Sequence, residues 1–348
     1  MMYCCHDCFC DENIRRIIEQ EGFLGDCCFC LSKGVKVIDI TKENKVTNQI
    51  IGLLDIYEMS NSSESRSIED SLKDDWNIFK IDKKKVRRLI EILSKNKIIN
   101  DDILSSRVII PQLYDEEFLS EYSITRGLSW GDFSDYIKNV NRFHTKFNPE
   151  EFSSYLSMLV RKHKEGSHFY RARIAKNKTG YDKAEMKAPP KGCRSAGRIN
   201  PEGMLALYLS LDEKTVLYEI RANMYDYVSI GEFVAKRDLR IVDLSQFEYI
   251  SPFDYGGALE KFAVNFKVFQ DMAREISKPL RRNDSQLEYL PTQFITEYIK
   301  SEKYDGVAYR STISNDGINI ALFNEDIVDC IDVKTVEINY IEYRTSNI

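Results

Sequence analysis

Two groups of residues in this chain have the types and spacing to do chemistry: cysteines near its start, and arginines around one glutamate and one serine in its second half. Cys5 and Cys8 form a C-x2-C pair in "CHDC", and Cys27 and Cys30 form another in "CCFC", with eighteen residues between the pairs. Each pair lets a tight knuckle aim two thiolates at one ion, and two knuckles close a tetrahedral Cys4 site with no open position, the signature of structural Zn2+. Cys4, Cys10 and Cys28 adjoin these four and His6 lies inside the first pair, so the ligand choice is open by one residue. Between the pairs, "DENIRRIIEQEG" predicts a helix with Asp11 at its start and Gly22 at its end. A segment this small has little core of its own, and a metal would supply its stability.

The second group begins with "FYRARIA", where Arg171 and Arg173 stand at i and i+2 on one face of a predicted strand. Neither G-x-G-x-x-G nor G-x4-G-K-[ST] occurs, so a nucleotide would need other devices to hold its phosphates. "AGRINPEGMLALYLSLDEKTVLYEIR" supplies candidates: Arg198 in a Gly-Arg-x-Asn loop and Tyr208 in an apolar strand. In the same stretch "SLDE", Ser210 to Glu213, reads as a capping box opening a helix that carries Glu219. Glu219 precedes Ile220 inside an otherwise apolar turn, which predicts partial burial. A buried carboxylate is costly unless paired, and Arg171, Arg173, Arg198 and Arg221 are its candidate partners. Arg173 is expected to make a salt bridge that supports its strand. Ser311 is not read as a hydrolase nucleophile, because none of His6, His144, His163 and His168 lies in a nucleophile-elbow pattern.

The elements that must position these residues follow from pattern. At 348 residues the chain has room for two or three domains and a full core. Residues 1–34 read as the cysteine module and 35–165 as a helical domain. In the latter, "NQIIGLLDIYEM", "DEEFLSEY", "WGDFSDYIKNVNRF" and "PEEFSSYLSMLVRKH" repeat apolar residues every three or four positions. Ser60 to Ser71, "SNSSESRSIEDS", has little to bury and is expected to be a mobile loop. "KIDKKKVRRLIEILSKNK", Lys80 to Lys97, is expected to be a helix burying Val86, Leu89, Ile90 and Leu93 under a solvated basic face. Residues 166–348 alternate short β-rich runs, such as "ALYLSL", "YVSIGEFVA", "LRIVDLS" and "INIALFN", with three helical segments, an α+β texture.

Composition narrows the function classes. A formal net charge of −6 argues against non-specific affinity for nucleic acid. No run of eighteen apolar residues suggests a membrane span, and "MMYCCHDC" lacks the pattern of a signal peptide, so a cytoplasmic location is expected. Seven of nine cysteines lie in the first thirty residues, and in such a location they suggest metal rather than disulfides.

Taken in order, "YRAR", "GRINPEGMLALYLS" with "LYEIR", and "YLPTQFITEYIKSEKYDGVAYRSTISNDGINIALFN" closely resemble the RES domain, named for its Arg, Glu and Ser. The family's arginine falls on Arg171, the second arginine on Arg198, the aromatic on Tyr208, the glutamate on Glu219 and the serine on Ser311. Pro291 and Gln293 match its helix-opening motif, and Asp305-Gly306 its strand entry. The resemblance covers about residues 168–325. It implies an ADP-ribosyltransferase-like mixed β core with flanking helices, and membership among toxins or defence effectors that consume NAD+ by hydrolysis or phosphorolysis. ADP-ribosyl transfer to a macromolecule is the alternative, and an inactive NAD-binding scaffold a third. It implies catalytic roles for Arg171, Glu219 and Ser311, with NAD+ contacts from these three, Arg198 and Tyr208. Arg171 would hold phosphate or the nicotinamide-side ribose, Tyr208 would stack on nicotinamide, Glu219 would stabilise an oxocarbenium-like ribose, and Ser311 would position a ribose or phosphate oxygen. A neutralising antitoxin or trigger protein is an implied partner, and homo-oligomerisation stays open. The front of the chain looks like the metal-binding, HEPN-like region fused to some RES domains. The arginine-x4–6-histidine motif of HEPN ribonucleases is not found, so RNase activity is not expected.

Overall fold

The computed structural model describes residues 1–96, 102–278, 285–314 and 317–341. Lys97 of the predicted basic helix, Asn315 and Asp316 before the strand "INIALFN", and Glu342 and Tyr343 of the β-rich run "VKTVEINYIEY" lie outside the described residues. In chain order the elements are β1 (Tyr3–Cys5), α1 (Glu12–Glu21), β2 (Phe23–Gly25), β3 (Val35–Asp39), α2 (Lys45–Leu54), β4 (Glu58–Met59), α3 (Ile68–Trp76) and α4 (Lys83–Lys95). There follow α5 (Asp102–Ser105), β5 (Val108–Ile109), α6 (Glu116–Tyr122), α7 (Trp130–Asn139), α8 (Pro149–Leu156), β6 (Val160–His163), β7 (His168–Ala175) and β8 (Leu207–Ser210). The rest are α9 (Glu213–Glu219), β9 (Tyr227–Ala235), β10 (Leu239–Asp243), α10 (Leu259–Ser277), α11 (Leu290–Ser301), β11 (Gly306–Arg310), β12 (Ile318–Leu322) and β13 (Val328–Glu337).

The chain forms two compact units: residues 1–129, 146–158 and 249–270, and residues 130–145, 159–248 and 271–348. These boundaries differ from the expected breaks near 34 and 165. One reason is that β3, outside the predicted cysteine module, is the middle strand of its three-stranded antiparallel sheet, β1-β3-β2. In this first unit, α1 is capped as its sequence predicts, with Asp11 accepting from Ile14 N at 2.9 Å. α4 buries Val86, Leu89, Ile90 and Leu93 as predicted. The serine-rich segment is a correction: Ser65 is fully buried, Arg107 donates to its hydroxyl at 3.1 Å, and Arg66 exchanges backbone hydrogen bonds with Val108. Ser67 then caps α3 by accepting from Asp70 N. Short polar side chains here satisfy local backbone groups instead of leaving them to water.

The second unit is built on an eight-stranded sheet, order β13-β9-β7-β8-β12-β11-β10-β6, antiparallel except for the parallel β10–β11 pair. The tail of "PEEFSSYLSMLVRKH" is a second correction. Helix α8 stops at Leu156, and Val160–His163 become the edge strand β6 paired with residues 239–242. Phe169, Leu207, Leu209, Phe233, Ile241 and Ile320 form the main core of this sheet. The pairing of β7 with β8 is confined to one register pair, Tyr170 opposite Ser210, whereas β7 runs alongside β9 from His168 to Ala175. The sheet therefore diverges between β7 and β8, and the candidate residues gather at that divergence.

Candidate active site

Glu219 is the last residue of α9, a two-turn helix that begins at Asp212. Asp212 accepts from Thr215 N at 2.8 Å and from the Thr215 hydroxyl at 2.7 Å, so the helix is capped at Asp212 and not by the predicted capping box at Ser210. Ser210 belongs to β8 instead, and its hydroxyl donates to Asn319 Oδ1 at 2.6 Å from the directly opposed position on β12. Asn319 Nδ2 donates to Glu219 Oε1 at 2.7 Å, and Ser311 Oγ donates to the same oxygen at 2.6 Å. Ser311 Oγ itself accepts from the backbone N–H of Ile313 and of Ser314. No arginine pairs with Glu219 among the described residues, which corrects the expected Arg–Glu pairing. The end of α9 faces β12 and the turn after β11, where neutral donors reach the carboxylate first.

Arg171 comes from β7 at the divergence. Its Nη1 donates to the Tyr208 carbonyl at 3.4 Å, its Nε is buried without a partner, and no carboxylate pairs with it among the described residues. Burial, with the neighbouring Arg173 charge adding to it, lowers its pKa to about 10. Arg173 makes no salt bridge among the described residues. Its guanidinium lies 4.3 Å from the Tyr181 ring centre and donates to the Glu185 carbonyl.

Arg171, Glu219 and Tyr208 line a cavity of about 660 Å³, together with Asn319, Tyr289 and Tyr309. The volume suits a ligand of nucleotide size. Its other wall is the Gly-Arg-x-Asn loop, fixed by side chains of α11: Thr292 donates to the Arg198 carbonyl, Thr296 to Ile199 and Gln293 to Gly197 and Asn200. Pro291 opens that helix within its first turn, as its sequence predicts. Tyr208 Oη donates to Asn200 Oδ1 at 2.6 Å, and burial pushes its phenol up to about 12. Arg198 lines the cavity too, but its guanidinium is committed to the carbonyls of Ile276 and Lys278 at the end of α10. Arg171 is thus the less engaged of the two expected anion binders. Asn319, Tyr309, Thr292 and Thr296 escape motif reading because an Asn, a Tyr or a Thr inside a strand or helix looks like ordinary packing.

In the first unit, the sulfurs of Cys5, Cys8, Cys27 and Cys30 all lie within 4.8 Å of one another, with 3.9 Å between Cys5 and Cys8, 3.3 Å between Cys5 and Cys30 and 3.5 Å between Cys8 and Cys27. Tetrahedral Zn–S bonds of about 2.3 Å require S···S edges near 3.8 Å, so this donor set fits a closed zinc site. His6 pairs with Asp7, Cys10 is exposed, and Cys28 accepts from Tyr3 N. No helix among the described residues is long and apolar enough to cross a membrane.

Comparison with known proteins gives three findings. The family model of the RES domain matches residues 168–344. No curated protein matches the chain. A solved chain from the crystal structure of the M. tuberculosis MbcT-MbcA toxin-antitoxin complex is similar to it at 13% identity, with a TM-score of 0.32, over 52% of this chain and 90% of that one.

Proposed function

Since the chain belongs to the RES domain family, we propose that the cavity binds NAD+ and cleaves its nicotinamide–ribose bond. The observation that carries this reading is one cavity holding both a carboxylate fixed by two neutral donors and a largely buried arginine with no acidic partner among the described residues. Nicotinamide is cationic while attached and neutral once released, so its departure needs no general acid. The charge that develops is positive and lies on the ribose. Both protein donors converge on Oε1 of Glu219, and Oε2, which accepts no hydrogen bond among the described residues, accepts from a ribose hydroxyl and stabilises the oxocarbenium-like state. Arg171 binds the pyrophosphate, which supplies the paired anion that no carboxylate among the described residues provides. Tyr208, braced by Asn200, presents its ring to the nicotinamide. Attack by water at C1′ of the ribose then gives ADP-ribose, nicotinamide and a proton; phosphate in place of water gives the phosphorylated sugar.

Cys5, Cys8, Cys27 and Cys30 hold a structural Zn2+ in this reading, with no part in the reaction. Depletion of NAD+ is harmful to a cell, so the proposal includes toxin or defence action and a protein that restrains it. Chromatography of NAD+ incubated with the full chain, with and without phosphate, tests the reaction. Nicotinamide appearing with ADP-ribose or its phosphate supports it; NAD+ that stays intact under both conditions overturns it.

A further inference from the structure

Glu219, at the end of helix α9, is held through two side chains in series on neighbouring strands. Ser210 on β8 donates to Asn319 Oδ1, Asn319 on β12 donates through Nδ2 to Glu219 Oε1, and Ser210 and Asn319 are directly opposed in the sheet. Ser210 is 1% exposed and Asn319 5%. An ionised carboxylate only accepts, so the amide edge facing it must be the NH2. The other edge is then the carbonyl oxygen, which only accepts as well, so Ser210 must donate. Reversing the amide would set two acceptors against each other at hydrogen-bond distance.

We infer that Ser210 and Asn319 are positioning residues for the proposed cleavage: Ser210 selects the amide orientation of Asn319, which fixes the Glu219 carboxylate through Oε1 and leaves Oε2 for the substrate. The inference rests on the reading of Glu219 given above. Ser311 alone cannot do the same work, because a second donor is needed to fix the carboxylate plane about Oε1. Other titratable or charged groups on the cavity wall are Tyr208 from β8, Tyr289 just before α11, Tyr309 from β11, Arg171 from β7, Arg198 from the Gly-Arg loop and Arg221 just beyond α9.

The test compares the full-length parent with Ser210→Ala and Asn319→Asp, measuring nicotinamide release from pH 5 to 9.5 and the melting temperature of each. Asn319→Asp keeps the shape and the Ser210 contact but sets two carboxylates against one shared proton. The acid limb of its kcat/KM profile moves up by about one pH unit or more, and activity returns at alkaline pH. Ser210→Ala, which removes one buried hydroxyl, lowers kcat about tenfold with KM within about twofold of the parent. A parent-like kcat in Ser210→Ala, or an unmoved acid limb in a folded Asn319→Asp, overturns this inference and leaves the reaction standing. A parent that releases no nicotinamide overturns the reaction and this inference together.

Discussion

Ser311 Oγ donates to Glu219 Oε1 at 2.6 Å while accepting from the N–H groups of Ile313 and Ser314, so its one proton and both lone pairs are spoken for. A hydroxyl held this way is a fixed donor to the carboxylate. Ser311→Ala therefore lowers kcat by about 10- to 100-fold with little change in KM, the behaviour of a group that matters more in the transition state than in the bound substrate. Steady-state kinetics check this, and a loss confined to KM would instead assign Ser311 to substrate binding.

Arg171 is a largely buried cation with no carboxylate paired to it among the described residues, and it destabilises the ligand-free fold. The unfolded chain holds this proton more tightly than the folded one, because burial lowers the pKa to about 10 on folding. The penalty is therefore whole below about pH 10 and shrinks as pH rises above it. Arg171→Met, which keeps the length and removes the charge, is expected to be more stable at neutral pH by about 1–3 kcal/mol. It also binds ADP-ribose at least tenfold more weakly. Urea denaturation at pH 7 and pH 10.5, with calorimetry, checks both halves; a variant less stable at pH 7 and equally good at binding contradicts the assignment.

Gly197 has no room for a side chain. A Cβ there would lie 2.5 Å from Tyr208 Oη and 3.0 Å from Asn200 Oδ1. Gly197→Ala must break the Tyr208–Asn200 hydrogen bond or shift the loop, and the expected cost is about 1–3 kcal/mol of stability together with a rise in KM. Gln293→Leu, which removes the donor to the Gly197 and Asn200 carbonyls, should mimic it. Parent-like melting and kinetics in both variants would show that the loop is not held as described.

The four-cysteine set predicts one zinc per chain. Metal analysis of the purified protein should find it, Cys27→Ser should lose it, and Cys193→Ser, an exposed cysteine outside the set, should keep it. Chelation at neutral pH should lower the melting temperature, since metal binding and local folding are linked there. Protein that is metal-free and unaffected by chelators contradicts the assignment.

Much of this was legible in the sequence, for reasons that differ by residue. The cysteine pairs announce themselves because metal ligation fixes both residue type and spacing. α1 and α4 were readable because each combines a cap or a basic face with a regular apolar stripe. β6 was missed because "LVRKH" continues the helical pattern of α8, and only pairing with residues 239–242 makes it a strand. The partners of Glu219 were missed for a related reason. Charge arithmetic points to arginine, but the donors that reach it are Ser311 and Asn319, 92 and 100 residues away in sequence and brought near by the β11–β12 hairpin. Arg198 shows the reverse, an arginine in a promising loop whose guanidinium caps α10.

The measurement that tests the account most directly is the initial rate of nicotinamide release from NAD+ by the full chain beside Glu219→Gln. This variant keeps the shape of the side chain and removes its negative charge. Release by the parent is expected, with a fall of about 10³-fold or more in the variant and melting temperatures that agree within a few degrees. Equal rates in the two proteins would contradict it, and so would a parent that leaves NAD+ intact.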